Sequence, residues 1–556
     1  MEKIFGIDLG TTNSEIAYFK DGKPGVIAIE NGLKYMPSVV GIDSSGAVVT
    51  GLKARNQYAA FPENTVMSVK RLMGSEKTVT MAGKEYTPAW ISAEILKTLK
   101  QAAERETGLP VEKAVITVPA YFTDLQRKET IQAGELAGLE VVRIINEPTA
   151  AALTYGCRRE QRERILVYDL GGGTFDISLI DVEEGITEVL ASDGDTMLGG
   201  DDFDLTLEEH LRSYLPEAVR ERNDSKMTAR LKRLSEAVKI KLSTESRLEI
   251  KEEFIATSEG KPVHLECSVS REEFEDRIAG KLDETVTLLE SVLKEGKVEK
   301  EKISRVLLVG GSTYIPAIFD KLGTGLGFDV HREVDPTYCV ALGAAIQGAI
   351  ISGEEVETIL VDVNPHSLGV RCRNGGFLGE YNDDYYSIVI HRNTPIPADM
   401  TNNYYTVVPG QESVEVIAYQ GENPVASKNT LLGSFILDDL PPGLSAGSEI
   451  AVTFEYNLNG IVEITALERQ SQRKQKLKVD VQRLDVKKDT GTNEKISSRQ
   501  LERILKKAGK MRKKINDAQT LTELEKRIAN LEKALENNDK NTDILAEELA
   551  EFIGEL

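Results

Sequence analysis

Asp8, Leu9 and Gly10 leave an apolar strand and run into Thr11 and Thr12; the same trio returns as Asp169, Leu170 and Gly171 and runs into Gly172, Gly173 and Thr174. Turns of this composition let backbone amides approach a ligand closely and converge on an anion. Each turn also opens on a carboxylate, Asp8 in one and Asp169 in the other. Two carboxylates facing one polyphosphate repel it unless a divalent cation lies between them, which makes Mg²⁺ the natural third component. Neither turn is a P-loop, because no G-x-x-x-x-G-K-[ST] occurs, and no G-x-G-x-x-G follows the first strand. Taken singly, each reads equally as a tight hairpin capped by its own aspartate. Taken together, they describe a duplicated unit facing itself across a cleft, one phosphate-binding arm from each lobe. A third turn, Gly310, Gly311 and Ser312 after "RVLLV", offers a weaker version of the same pattern.

The elements that must carry these turns alternate between strand and helix through residue 354. "KAVITVPAYF" precedes "TDLQRKETIQAGELAGL", and "VVRII" precedes "NEPTAAALTYG". Short apolar strands followed by helical repeats imply an α/β region. Asn146 reads as a helix N-cap and Pro148 as a first-turn proline, which starts a helix at Pro148 and holds Glu147 at its mouth. At 355–365 the connector "EVETILVDVNP" is apolar at Ile359, Leu360 and Val361, unlike an ordinary polar linker. It is either a buried edge strand or a segment that docks in one state and leaves in another. From 366 to 487, short alternating runs and the Asn459-Gly460 hairpin signal imply a β-sandwich. From 488 to 556 the pattern is helical. Leu521, Leu524, Ile528, Leu531 and Leu535 form one stripe, and Leu501, Ile504, Leu505, Ala508, Met511 and Ile515 another. These faces pack on each other or, alternatively, form a coiled-coil dimer.

At 556 residues the chain exceeds a single core, and three or four domains are expected. A net charge of -22 argues against nucleic acid and anionic membranes as partners. No apolar run is long enough to span a bilayer, and "MEKIFGIDLG" lacks a signal-peptide apolar region, so a cytoplasmic location is expected. The four cysteines form no C-x-x-C pair and the five histidines are dispersed, which suggests neither a disulfide framework nor a zinc site.

The motifs "GIDLGTTNS", "VKRLMG", "VITVPAYF", "AGLEVVRIINEPTAAALTYG", "YDLGGGTFDIS", "GDTMLGGDDFD" and "LLVGGST" resemble the seventy-kilodalton heat-shock chaperones of the DnaK type. "DPTYCVALGAAIQGA", "VDVNPHSLGV" and "PGQESVEVIAYQGEN" look most like the HscC branch. The resemblance implies an actin-like α/β ATPase domain of duplicated ribonuclease-H-like lobes, a β-sandwich peptide-binding domain and a short helical lid. It implies ATP and Mg²⁺, with K⁺ as a monovalent ion. Gly10, Thr11 and Thr12 would hold phosphates from one lobe, and Gly171, Gly172, Gly173 and Thr174 from the other. Asp8, Asp169 and Asp176 would organise the ions, Lys70 would reach the γ-phosphate, and Glu147 would sit near the attacking water. Glu236, Lys239 and Ser243 match adenosine contacts, and their spacing lies on one helical face. Gly310, Gly311 and Ser312 complete the nucleotide set. Pro119, Arg127, Arg143 and Asp362, with Ile359, Leu360 and Val361, match the route that relays nucleotide state. Val370, Tyr404, Val407, Val414 and Val416 match peptide-groove positions. Client peptides, a J-domain co-chaperone and an exchange factor are the implied partners of a monomer.

The chain departs from that pattern in places. Thr337 stands where an acid is usual, which bears on one ion contact, and Arg373 or Asn374 occupies an arch position often apolar, which suits acidic clients. The 72–90 stretch and the lid are short, and "EFIGEL" is not the acidic tail that recruits repeat-protein partners. Two other readings stay open. A small-molecule kinase would share the phosphate loops, but the β-sandwich and apolar connector count against it. A filament protein or non-hydrolysing regulator is disfavoured by the joint presence of Lys70, Glu147 and Thr174.

Overall fold

The computed structural model describes residues 3–156, 162–183, 185–222, 224–332, 335–354, 356, 358–375, 381–478, 505, 508, 512, 518–536 and 549. The chain divides into two units, Met1–Leu484 and Asp485–Leu556. Cys157 and the stripe positions Leu501, Ile504, Met511 and Ile515 lie outside the described residues.

The first unit is built on two related sheets. In one, the strand Ile4–Leu9 pairs antiparallel with Asn13–Lys20, and parallel with Lys113–Val118. In the other, Glu163–Leu170 pairs antiparallel with Phe175–Glu183, and parallel with Arg305–Val309. The repeated sequence is therefore a repeated hairpin. The strands are apolar on both faces because helices cover them. Phe5, Ile7, Val167 and Leu166 are fully buried. The helix Cys339–Ser352 runs between the lobes, and Gly6 and Gly343 admit its backbone: a Cβ on Gly6 would fall on Ala345, and one on Gly343 on Ala150. The helix expected at Pro148 starts one residue earlier, at Glu147.

The second sheet has seven strands, and its last two come from beyond the α/β region. The connector forms the strand Ile359–Val363, parallel to Ile186–Asp195 with Ile186, Thr187 and Glu188 opposite Ile359, Leu360 and Val361. On its other edge it pairs with Pro395–Ile396 of the β-rich region. Of the two readings of the connector, a paired strand is what this structure contains, although Ile359 itself is 64% exposed.

The β-rich region is a sandwich of two four-stranded antiparallel sheets. Its core contains Leu368, Ile390, Phe454, Tyr456 and Ile464. Glu449–Tyr456 and Val462–Glu468 make the expected hairpin, joined through residues 457–461. Asn457 Oδ1 accepts hydrogen bonds from the amides of Asn459 and Ile461 at 2.9 and 3.1 Å, and Gly460 takes φ 70°.

In the second unit, Ala518–Glu536 is one helix with Leu524, Leu531 and Ala534 buried, and Arg512 pairs with Glu525 at 2.7 Å.

Candidate functional site

The two hairpins meet at a cleft of about 1080 Å³, counting its solvent-open mouth. Asp8, Glu147 and Asp169 line it, with Lys70 just behind. Thr117 Oγ1 donates to Asp8 Oδ1 at 2.8 Å. Burial raises the Asp8 carboxyl above its ordinary range, and Lys70 opposes the rise. Lys70 is 4% exposed, donates to Glu147 Oε1 and lies 5.7 Å from the Phe122 ring. Burial also raises Glu147, again against Lys70. Asp169 is raised well above normal by burial, then by the carboxylates of Glu147, Asp176 and Asp8. Asp176 is pushed up to about 8 by burial and by Glu147. One lysine thus faces a surplus of carboxylates.

Asp176 supplies a direct sign of what that surplus is for. Its Oδ1 accepts from the Tyr121 amide at 3.1 Å, while Oδ2 is buried without a hydrogen-bond partner. A buried, unsatisfied carboxylate oxygen beside two further carboxylates suits a hard divalent cation, whose charge inverts the local pKa logic. Asp8, Asp169 and Asp176 are the residues expected to hold it, though among the described residues they do not stand as a preformed metal cluster.

The phosphate arms come from both lobes. Gly10, Thr11 and Thr12 line one wall, and Gly171, Gly172 and Thr174 the other, with Gly310, Gly311 and Ser312 beside them. Ser312 Oγ donates to the Gly171 carbonyl at 2.7 Å, fixing the third glycine turn to the second. The arms are close enough to make glycine obligatory: a Cβ on Gly172 would collide with the Thr12 hydroxyl, and one on Gly173 would press on Thr11. Gly172→Ala should therefore hold the arms apart and weaken nucleotide binding by tenfold or more, with the melting temperature little changed. Calorimetric titration with ATP and a thermal melt of the same sample check both halves.

Farther along the cleft, Glu236, Lys239 and Ser243 lie along one face at the end of the helix Ser225–Leu242. All three are already engaged. Lys239 Nζ bonds Asp204 Oδ2 at 2.8 Å and the Gly200 carbonyl at 2.9 Å, and Ser243 Oγ contacts the Lys239 carbonyl at 3.5 Å. Glu236 pairs across the cleft with Arg55 at 2.7 Å.

The Hsp70 protein family model matches residues 4–80 and 75–555. The chain belongs to the Hsp70 family. Members of this family are ATP-dependent chaperones that bind ATP, usually with Mg²⁺, and bind client peptides. The two-lobed α/β region and the β-rich region are the architecture that membership implies.

Several residues of this Hsp70 site were not anticipated. Glu15 lies directly across the ladder from Asp8, as Asp176 lies across from Asp169. It is 2% exposed, lines the cleft and hydrogen-bonds Asp8; burial and then Asp8 raise its carboxyl well above normal. Thr337 lines the same cleft. The signal was present: Glu15 follows Asp8 at the distance at which Asp176 follows Asp169. Ser68 and Arg71 also tie the lobes, through Asp201 at 2.5 Å and Asp202 at 2.5 Å. Arg71 Nε adds a bond to the Gly173 carbonyl at 2.9 Å.

The residues expected to relay nucleotide state converge. The turn after Pro119 is braced by Arg127, whose guanidinium donates to the carbonyls of Ala120 at 3.0 Å and Phe122 at 3.2 Å. Arg127 Nη2 also reaches Asn146 Oδ1 at 2.7 Å, and Asn146 Nδ2 donates to Asp362 Oδ2 at 3.0 Å. Arg143 is partly buried, which lowers its guanidinium pKa, with Asp362 opposing. The sandwich hairpin closes on this network. Asn459 Oδ1 accepts from the Ile144 amide at 3.1 Å, and Asp124 Oδ1 from the Val462 amide at 2.8 Å. Gly460 leaves room for Arg127, since a Cβ there would meet its guanidinium at 3.0 Å.

The expected peptide positions divide. Val370 and Val416 belong to the sandwich core, at 3% and 4% exposure, where they pack with Leu368 and Phe454 rather than open to solvent. Val414 is half-buried against that core. Tyr404 packs there too, with its hydroxyl 2.9 Å from Ser387 Oγ. Val407 is exposed beside Val408 and Tyr405. These residues do not share one open face here. At the arch, Arg373 is ion-paired with Asp383.

Proposed function

We propose that this chain hydrolyses ATP in the cleft between its two lobes and uses the change of nucleotide to alter the grip of its β-sandwich on extended apolar peptides. One observation carries the reading: the sheet that ends in Asp169 and Asp176 continues through Ile359–Val363 into Pro395–Ile396 of the sandwich. A movement of that lobe is thereby felt as strand pairing at the sandwich. Phosphoryl transfer needs positioning and charge neutralisation more than covalent chemistry. In the cleft, the amides of 10–12 and 171–174 cradle the phosphates, Lys70 neutralises charge on the transferring group, and Glu147 orients the water. Asp8, Asp169 and Asp176 would hold Mg²⁺, which would neutralise charge on the phosphate oxygens, with K⁺ as the proposed monovalent companion. The exposed Tyr405, Val407 and Val408 suit an extended apolar segment, taken up through main-chain pairing.

We further propose, from the HscC-like stretches, that the chain belongs to that branch and acts as a cytoplasmic monomer with a J-domain partner and an exchange factor. Residues 488–556 would act as a short helical lid, and a short lid would retain peptide more weakly. Steady-state ATP turnover tests the whole: it should be slow alone and rise with an apolar peptide and with a J-domain protein. Turnover indifferent to peptide, together with phosphorylation of a sugar, would transfer the chain to the kinase reading.

A further inference from the structure

His366 stands at the junction between the connector strand and the first strand of the sandwich, and its ring is pressed into the α/β region. It is 8% exposed. Its Nε2 lies 2.9 Å from the Tyr121 carbonyl, and its ring meets the Tyr121 ring edge-on at 4.1 Å between centroids. A carbonyl only accepts, so Nε2 carries the hydrogen in this contact. The backbone on either side is fixed. Asn364 Nδ2 donates to the His366 carbonyl at 2.8 Å, and Glu422 receives both the Ser367 amide at 2.7 Å and its hydroxyl at 2.8 Å. The ring therefore cannot swing aside while the sandwich stays in place.

The other side of the contact is equally constrained. The carbonyls of Ala120 and Phe122 are taken by Arg127, which leaves the Tyr121 carbonyl between them for His366. The Tyr121 amide is bonded to Asp176. One residue's main chain thus joins a cleft carboxylate to the sandwich. The charges around the imidazole are chiefly positive: Arg127 from the lobe and Arg392 from the sandwich both act against its protonation. The carboxylates nearby are committed elsewhere. Asp193 and Glu295 pair with Arg392 at 3.4 and 3.1 Å, and Glu422 holds Ser367. The Tyr121 hydroxyl is held neutral, pushed up to about 12 by burial and then by Asp193.

We propose that His366 makes the docking of the β-sandwich on the ATPase lobes proton-linked: the docked state accepts only the neutral imidazole, so acidification releases the sandwich. The inference rests on the proposed cycle, in which docking is reversible. Its sign follows from linkage. Burial lowers the docked imidazole to about 4, with the Tyr121 carbonyl opposing and the two guanidiniums assisting, while a ring freed from Tyr121 returns to its ordinary value near about 6.5. Docking strength is then complete above about 6.5, declines as pH falls through that value, and levels below the docked value. Between pH 7.5 and 5.5 the docking constant should fall about tenfold.

Small-angle scattering of the full chain with a non-hydrolysable ATP analogue measures the docked fraction across this range. The wild type should lose about tenfold in docking constant, as linkage requires. His366→Phe, which keeps a ring against Tyr121 and removes the titration, should change by less than about twofold. Equal pH dependence in the two proteins, or none in the wild type, overturns the proposal. If the Phe variant does not dock even at pH 8, NMR of selectively labelled histidines in the wild type decides: a His366 resonance titrating near its ordinary value with the analogue bound overturns it, and one untitrated to pH 5.5 supports it. A docked fraction at pH 8 that does not respond to nucleotide counts against the cycle itself, not against the histidine.

Discussion

Lys70→Met should lower single-turnover ATP hydrolysis by about 10²- to 10³-fold, the scale on which removal of one preorganised charge stabiliser acts, while leaving ATP affinity within a few-fold. The asymmetry follows from where the groups sit. The phosphate arms are backbone amides and hydroxyls of residues 10–12 and 171–174, and they survive the substitution. Lys70 is a buried cation whose partner is Glu147, with Asp8 and Asp169 near enough to feel its charge. Removing it takes away the positive charge that meets the transferring group and releases the carboxylate that orients the water. Glu147→Gln should cost a comparable factor, and the double variant little more than either, because the two act as one unit. Additive losses would show that they work separately. A structural cost accompanies the kinetic one. Glu147, raised by burial, is left without its counter-charge in Lys70→Met. Breaking such a pair costs on the order of 3–5 kcal/mol. The deficit should shrink at acid pH, where the carboxyl protonates, and grow as pH rises; melts of both proteins from pH 5 to 8 check the sign.

Asp362→Ala should uncouple nucleotide from peptide. In the wild type Asp362 is 9% exposed and accepts Asn146 Nδ2 at 3.0 Å, the Thr149 hydroxyl at 3.2 Å and its own following amide, that of Val363, at 2.8 Å. Truncation leaves buried donors unsatisfied, at about 1–3 kcal/mol for each group stranded. The Asn146 and Thr149 donors lie across the lobe from the connector, so their share of the penalty falls on the docked state, in which the connector is paired with the strand Ile186–Asp195. A penalty of about 1.4 kcal/mol is already tenfold. The ratio of peptide affinities in ADP and ATP should therefore shrink at least tenfold, with affinity in ADP unchanged. Fluorescence anisotropy of a labelled apolar peptide in each nucleotide measures it. An unchanged ratio would mean that coupling runs through the sandwich hairpin and Arg127 without the connector.

What the sequence made legible was local. Both Asp-Leu-Gly hairpins, the glycine arms and the helical face of Glu236, Lys239 and Ser243 depend on short-range spacing, and each can be read from one segment. The partners of those residues could not be read in this way. Arg55 meets Glu236, Ser68 meets Asp201 and Arg71 meets Asp202 only because two lobes close on each other, and no periodicity encodes that. Glu15 is the exception, because the repeat itself marks its place opposite Asp8. The groove positions show a different limit, because each of them alone reads as ordinary sandwich core. An alternating strand states which residues share a face, but not whether that face is core or surface, and Val370 and Val416 proved to be core.

The strand Ile359–Val363 is held on both sides by main-chain hydrogen bonds, with Ile186–Asp195 on one edge and Pro395–Ile396 on the other. Departure of the sandwich therefore strips two strand edges at once, and one of them carries Ile359, already largely in solvent. Bare apolar edges are templates for a neighbouring chain. The proposed cycle would thus open a brief window of stickiness at each turn, and the run of acids that precedes the strand in the sequence, Glu354, Glu355 and Glu357, would put like charge at the place where two such molecules would otherwise join.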